Sequence, residues 1–192
     1  MLVRQEKIVK KLKILLCMVT ISGALGLFSS AKASEVEDRL KPVLEKLGFP
    51  EGKMPIPKPA MGNYVDAQQV GKILYLSSAG PQLPNGDFMK GRVPDKVSVE
   101  DGMVALQLSC VRQLARIKQT IGDLDQVKRV IFLRGKVHTE NGFTDLTKLV
   151  DACSALLVTA FGDAGRHTRT SEGYAALPFD LTSEIELTVE LK

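Results

Sequence analysis

Hydrophobic positions follow two periods along the chain, and the switches between them outline the elements. In "SEVEDRLKPVLEKLGF", Val36, Leu40, Val43, Leu44 and Leu47 recur at helical spacing behind Ser34 and Glu37, a capping-box pair, which predicts an N-terminal helix ending at Gly48. Residues 48–60 carry four prolines and predict an extended strap. "NYVDAQQVGKILYLSS" reads as two strands turning near Gln69 to Gly71, and Asn85-Gly86 is a hairpin signal. Ser98 and Asp101 open a long helix with Val104, Leu108, Val111, Leu114 and Ala115 on its apolar side, closed by Gly122. "QVKRVIFLRGKVH" then predicts a strand, "FTDLTKLVDACSALLVTAFG" a second long helix, and "HTRTSEGYAALP" and "SEIELTVEL" two further strands.

The order ββαβαββ with two long helices implies an α+β, two-layer domain, both helices on one face of the sheet. In the last strand Ile185, Leu187, Val189 and Leu191 alternate with Glu184, Glu186, Thr188 and Glu190, so one face meets the helices and the other is acidic and needs a polar cover or water.

The N-terminus changes the charge picture. Arg4, Lys7, Lys10, Lys11 and Lys13 precede the apolar run Ile14 to Phe28, and Ala31 and Ala33 have cleavage-site spacing, so residues 1–33 read as a signal peptide, 34–60 as helix and strap, and 61–192 as the main domain. The run is shorter than the ~20 residues that span a bilayer, so no membrane association is expected after cleavage, and the mature chain is expected to be exported, periplasmic or secreted. Residues 1–33 hold six Lys or Arg and one Glu, so the formal charge of +4 falls to −1 for residues 34–192. Such a chain lacks the positive field that nucleic-acid binders use against phosphate, and no nucleic-acid partner is expected. Cys110 and Cys153 lie in apolar helical patterns and read as buried thiols. The two histidines are far apart and no cysteine pair has ligand spacing, so no metal site is expected.

Candidate chemistry gathers near the C-terminus. By the period of two, His167, Arg169, Ser171 and Gly173 share one side of their strand. If that strand pairs antiparallel with the last one, Arg169 and Ser171 share a face with Glu186, and a cation, a hydroxyl and an anion meet. An ordinary cross-strand ion pair is the competing reading.

"GRHTRTSEGYAALP" followed by "SEIELTVE", with "ILYLSSAGPQLPNGD" and "SVEDG" upstream, resembles the Rid family of reactive-intermediate imine/enamine deaminases, also called YjgF-like or endoribonuclease L-PSP-like, from about Tyr64 to Leu191. The resemblance implies a chorismate-mutase-like domain in a homotrimer with a central barrel and ligand clefts between subunits. A neighbouring subunit would then cover the acidic sheet face. It implies that Arg169 binds a substrate carboxylate, that Glu186 orients the attacking water, and that Ser171, Ser77 and Tyr64 line the cleft. The implied reaction is hydrolysis of small 2-imino or enamine acids to 2-keto acids and ammonia, with no cofactor. A non-catalytic trimer that binds small carboxylates or acts as a chaperone is the alternative, and endoribonuclease activity suits the charge of −1 less well. The sequence departs from the family pattern at Ser171, where well-known members carry Cys, and at Ser78, where many carry Gly.

Overall fold

The computed structural model describes residues 34–192; the expected signal peptide lies outside the described residues. Helix α1 (Glu35–Lys46) starts where expected, with Ser34 Oγ accepting from the Glu37 amide at 3.4 Å. Its Val36, Leu40 and Leu44, spaced by one turn, are buried, and Arg39 Nε donates to the Ala160 carbonyl at 2.8 Å. The helix ahead of the strap therefore shares the core of the main domain.

Five strands form one sheet: β1 (Ala67–Val70), β2 (Ile73–Ala79), β3 (Val127–His138), β4 (Thr168–Tyr174) and β5 (Ser183–Leu191), in the spatial order β1-β2-β5-β3-β4. All neighbours are antiparallel except β3 and β4, which are parallel. Helix α2 (Val99–Ile121) runs from the Ser98 cap, whose Oγ accepts from the Asp101 amide at 3.0 Å, to Gly122 in the left-handed region at φ 85°. Helix α3 (Leu146–Phe161) carries the chain from β3 to the parallel β4. A Cβ at Gly135 of β3 would come within 2.5 Å of Val150 of α3, so the helix sits directly on the sheet there.

The two-layer α+β expectation holds, and β5 alternates as expected: Ile185, Leu187, Val189 and Leu191 are buried, and Glu184, Glu186, Thr188 and Glu190 point to the open face. The pairing of β4 with β5 does not hold. β5 occupies the sheet centre between β2 and β3, and β4 is an edge strand beside β3. The composition explains this. β5 has a wholly apolar inner row that repays pairing on both sides, whereas β4, "TRTSEGY", has little apolar side chain to bury and suits an edge. Asn85-Gly86 does form a tight turn, with the Leu83 amide donating to Asp87 O at 2.8 Å, but it joins single bridge residues and no full hairpin.

Candidate functional site

Helix α2 carries Ser109, Arg112, Gln113 and Arg116, spaced i, i+3, i+4, i+7, and all four are buried. This polar stripe has a partner. Between Leu76 and Ala79, β2 takes three steps against two on β5 (Leu187 to Ile185), a bulge at Ser77 and Ser78. A bulge leaves carbonyls without ladder partners, and buried carbonyls need donors. Arg116 Nη1 donates to Ser77 O at 3.0 Å and to Ser78 O at 2.9 Å, and Gln113 Nε2 donates to Ser77 O at 2.9 Å and to Ile185 O. Helix and bulge thus satisfy each other's polar groups.

The two arginines differ in their charge partners. Arg116, 1% exposed, is ion-paired with Asp66. Arg112, 5% exposed, donates from Nη2 to Lys58 O at 2.8 Å and lies over the Phe88 ring at 4.9 Å, but its buried Nε has no acceptor and no carboxylate among the described residues pairs with it. Burial and then the neighbouring Arg116 charge push Arg112 down to about 10, against the pull of Asp66, Tyr64 and Glu184. Burial lowers Arg116 as well, with Asp66 opposing.

Both arginines line a cavity of about 250 Å³ together with Tyr64, Ser78, Phe179 and Glu184. Glu184 accepts no hydrogen bond from any described residue, and its nearest cation is Lys136 Nζ at 3.9 Å. Among the described residues, the cavity therefore holds a buried guanidinium without a counter-ion and a carboxylate that accepts no hydrogen bond and has only the long Lys136 ion pair.

The residues expected from sequence divide between the two faces of the sheet. Tyr64 lines the cavity. Ser77 supplies its carbonyl to α2, while its hydroxyl donates to Val65 O at 2.7 Å. Glu186 is on the open face but fully engaged: it accepts from Lys136 and from Ser78 Oγ at 3.1 Å, and Arg134 Nη1 stands 3.5 Å away. Arg169 and Ser171 face the other way. Arg169 is in register with Leu133, which is opposite Leu187, whereas Glu186 is opposite Arg134, so Arg169 points into the helical layer and does not share a face with Glu186. There Nη1 donates to Asp151 Oδ1 at 2.9 Å and Ser154 Oγ at 2.8 Å, and Nη2 to Thr147 O at 3.3 Å. Arg169 therefore has an internal counter-ion in Asp151, whereas Arg112 pairs with no carboxylate among the described residues.

His167 is bound to Gly165 O and Ser154 Oγ, and His138 Nε2 lies 3.1 Å from Ala175 O, so both hold backbone or neighbouring side chains. Cys110 and Cys153 are buried free thiols. Arg112, Arg116, Asp66 and Glu184 were not singled out by sequence. The polar stripe inside the apolar pattern of α2 was the available signal.

The comparisons with known proteins agree with this architecture. The family described as "YjgF/chorismate_mutase-like, putative endoribonuclease" matches residues 47–191. Protein TCP17 of Trypanosoma cruzi is 32% identical over 149 residues, which is 77% of this chain and 91% of that protein. The crystal structure of Atu1372 from Agrobacterium tumefaciens superposes with a TM-score of 0.72 at 33% identity, covering 82% of this chain and 95% of that one. A putative endoribonuclease of Shewanella oneidensis MR-1 gives a TM-score of 0.73 at 29% identity over 81% and 99% of the two chains. The match through almost the whole described domain, on the same sheet and helices, shows that the chain belongs to the YjgF/chorismate mutase-like family.

Proposed function

We propose that the protein hydrolyses small imino or enamine acids to 2-keto acids and ammonia in the cavity between α2, the β2 bulge and the β4–β5 connection. The observation that carries this reading is the meeting, in one small cavity, of the Arg112 guanidinium, which no carboxylate of the described residues pairs with, and the Glu184 carboxylate, which accepts no hydrogen bond from them and has only a 3.9 Å ion pair with Lys136. A guanidinium binds a carboxylate through two parallel hydrogen bonds, so a ligand carboxylate supplies the counter-charge that Arg112 lacks and is oriented by it. The adjacent C=N carbon then lies in a cavity where Glu184 takes a proton from water as the oxygen attacks carbon, giving a carbinolamine. With the imine nitrogen protonated at the outset, Glu184 returns that proton to the carbinolamine nitrogen and then takes the hydroxyl proton as C=O forms, so that the C–N bond breaks, ammonia leaves, and Glu184 gives the proton up to solvent. Orientation by the fork and proton transfer by one carboxylate are the two contributions asked of the protein.

The role given to Glu186 by the family resemblance passes in this reading to Glu184, two residues earlier on the same face. The mature chain acts as an exported homotrimer, in which a second copy covers the open sheet face. The endoribonuclease description suits the surface less well. Lys128, Arg129, Arg134 and Lys136 on that face are each already ion-paired with Glu172, Glu184, Glu186 or Glu190, which leaves no unbalanced positive field for a phosphate backbone.

The test is release of ammonia and 2-keto acid from an imine made in situ by an amino-acid oxidase. Wild type should accelerate release over the spontaneous rate, and Arg112→Met should abolish the acceleration. Keto-acid binding to Arg112 with no acceleration at any pH would leave a carboxylate-binding protein without turnover.

A further inference from the structure

The cavity has one charged wall and one apolar rim. Three large apolar side chains stand around its mouth: Met61 at 59% exposure, Tyr64 at 53% and Phe179 at 63%. Exposed apolar groups gathered on one small cavity mark a contact surface. The buried Leu181 and the exposed Pro59 also line it.

Phe179 is the informative member. It adopts φ 57°, and the next residue, Asp180, φ 61°, so two successive residues other than glycine lie in the left-handed region. Bulky side chains are rare there, whereas glycine adopts it freely. The conformation is fixed from both sides. The Asp180 amide donates to Leu177 O and the Leu181 amide to Pro178 O, both at 3.2 Å. The Gly91 amide donates to Asp180 O at 2.9 Å, and the Asp180 carboxylate is 3.3 Å from His138 Nδ1. A disfavoured backbone that presents an exposed ring contributes nothing to core packing. Strain of this kind collects where a ligand is held.

We infer that Phe179 is a specificity-determining residue, and that the ligand of this cavity is a 2-imino or 2-keto acid with an apolar side chain of several carbons. Its carboxylate lies on Arg112 and its side chain lies between Phe179, Met61 and Tyr64. This rests on the reading of the cavity as the site that binds the substrate carboxylate, but it is tested through binding and needs no turnover.

Isothermal calorimetry with pyruvate, 2-oxobutanoate and 4-methyl-2-oxopentanoate reads the apolar rim, because each buried methylene should tighten binding about fourfold. 2-Oxoglutarate, with a second charge in place of the apolar end, should bind no better than pyruvate. Phe179→Gly removes the ring and suits the left-handed backbone, so its Tm should not fall. It should weaken 4-methyl-2-oxopentanoate about tenfold and change pyruvate by less than about twofold. Equal affinities along the series, or equal losses for both acids in Phe179→Gly, would overturn the inference even if the protein deaminates imines. A graded series in a protein that releases no ammonia would keep the inference and remove only the hydrolysis. Altered sedimentation of Phe179→Gly with unchanged affinities would assign the ring to a subunit contact and also overturn it.

Discussion

Arg112 and Arg116 stand about one turn apart on the same face of α2, and only Arg116 meets a carboxylate, that of Asp66. The asymmetry predicts opposite outcomes for the two cations. Arg112→Met replaces a buried, unpaired charge by an apolar chain of similar length, so unfolding stability should stay within about 1 kcal/mol of wild type. Keto-acid affinity should fall about 100-fold, the scale of two charge-assisted hydrogen bonds. Asp66→Asn should cost about 3 kcal/mol, since it leaves Arg116 buried without its partner. Urea unfolding and calorimetry on the two variants check both statements. Unchanged affinity in Arg112→Met would remove Arg112 from the site.

The lowered Arg112 sets a pH limit. Only the charged guanidinium holds a carboxylate, and burial with the neighbouring Arg116 charge lowers Arg112 from its ordinary value to about 10 in the free protein. Keto-acid affinity should be level from pH 7 to 9 and fall by about tenfold per unit above about 10, binding being accompanied by proton uptake in that range. Calorimetry in buffers of different ionisation enthalpy measures that uptake. Its absence would mean that Arg112 is not the group that takes the ligand.

Glu184 and Glu186 are separable by the same logic. Glu186 is held by Lys136, Ser78 and Arg134, while Glu184 accepts from none of the described residues. Glu184→Gln should lower kcat for imine hydrolysis by about 100-fold or more and leave keto-acid binding nearly intact. Glu186→Gln should keep most of the turnover and lose about 1 kcal/mol of stability, because its ion pairs are partly exposed. The reverse pattern in steady-state kinetics would restore Glu186 to the role the family resemblance gave it.

The order of elements was legible because it is local. The Ser98 cap of α2, Gly122 at its end and the strict alternation of β5 each lie within a few neighbouring residues. Strand partners are not local. Whether β4 lies beside β5 or at the far edge beside β3 depends on α3 carrying the chain across the sheet, and that choice reverses the face on which Arg169 meets the rest of the domain. Counter-ions were illegible for the same reason. Asp66 reaches Arg116 across fifty residues and Asp151 reaches Arg169 from another element. The stripe Ser109, Arg112, Gln113, Arg116 was readable, since four polar residues at i, i+3, i+4, i+7 inside an apolar helix need buried partners. What they bind was not readable, because the bulge at Ser77 and Ser78 is a property of two strands together.

The cluster on the helical side of β4 predicts a structural role for Arg169 with its own pH signature. Arg169 ties β4 to α3 through Asp151, Ser154 and Thr147, and the same Ser154 hydroxyl meets His167 Nε2 at 3.1 Å. Burial first, and the Arg169 charge also, hold His167 below its ordinary 6.5, although the Gly165 carbonyl and Asp151 oppose them. The folded chain therefore keeps this imidazole neutral where the unfolded chain takes up a proton. Its contribution to stability is full above about pH 6.5 and is lost as pH falls from there towards the lower folded value. Urea unfolding between pH 7.5 and 5 should show that loss, and His167→Asn should flatten the part of the slope that this group supplies. Arg169→Lys should lower stability by about 1 kcal/mol, since the Asp151 pair is exposed and the fork to Ser154 and Thr147 is lost. Keto-acid affinity should stay within about threefold of wild type, because the cavity at Arg112 lies on other elements. If Arg169→Lys instead abolished binding at unchanged stability, the carboxylate site would be the cleft around Arg169, and Arg112 would be a buried structural cation.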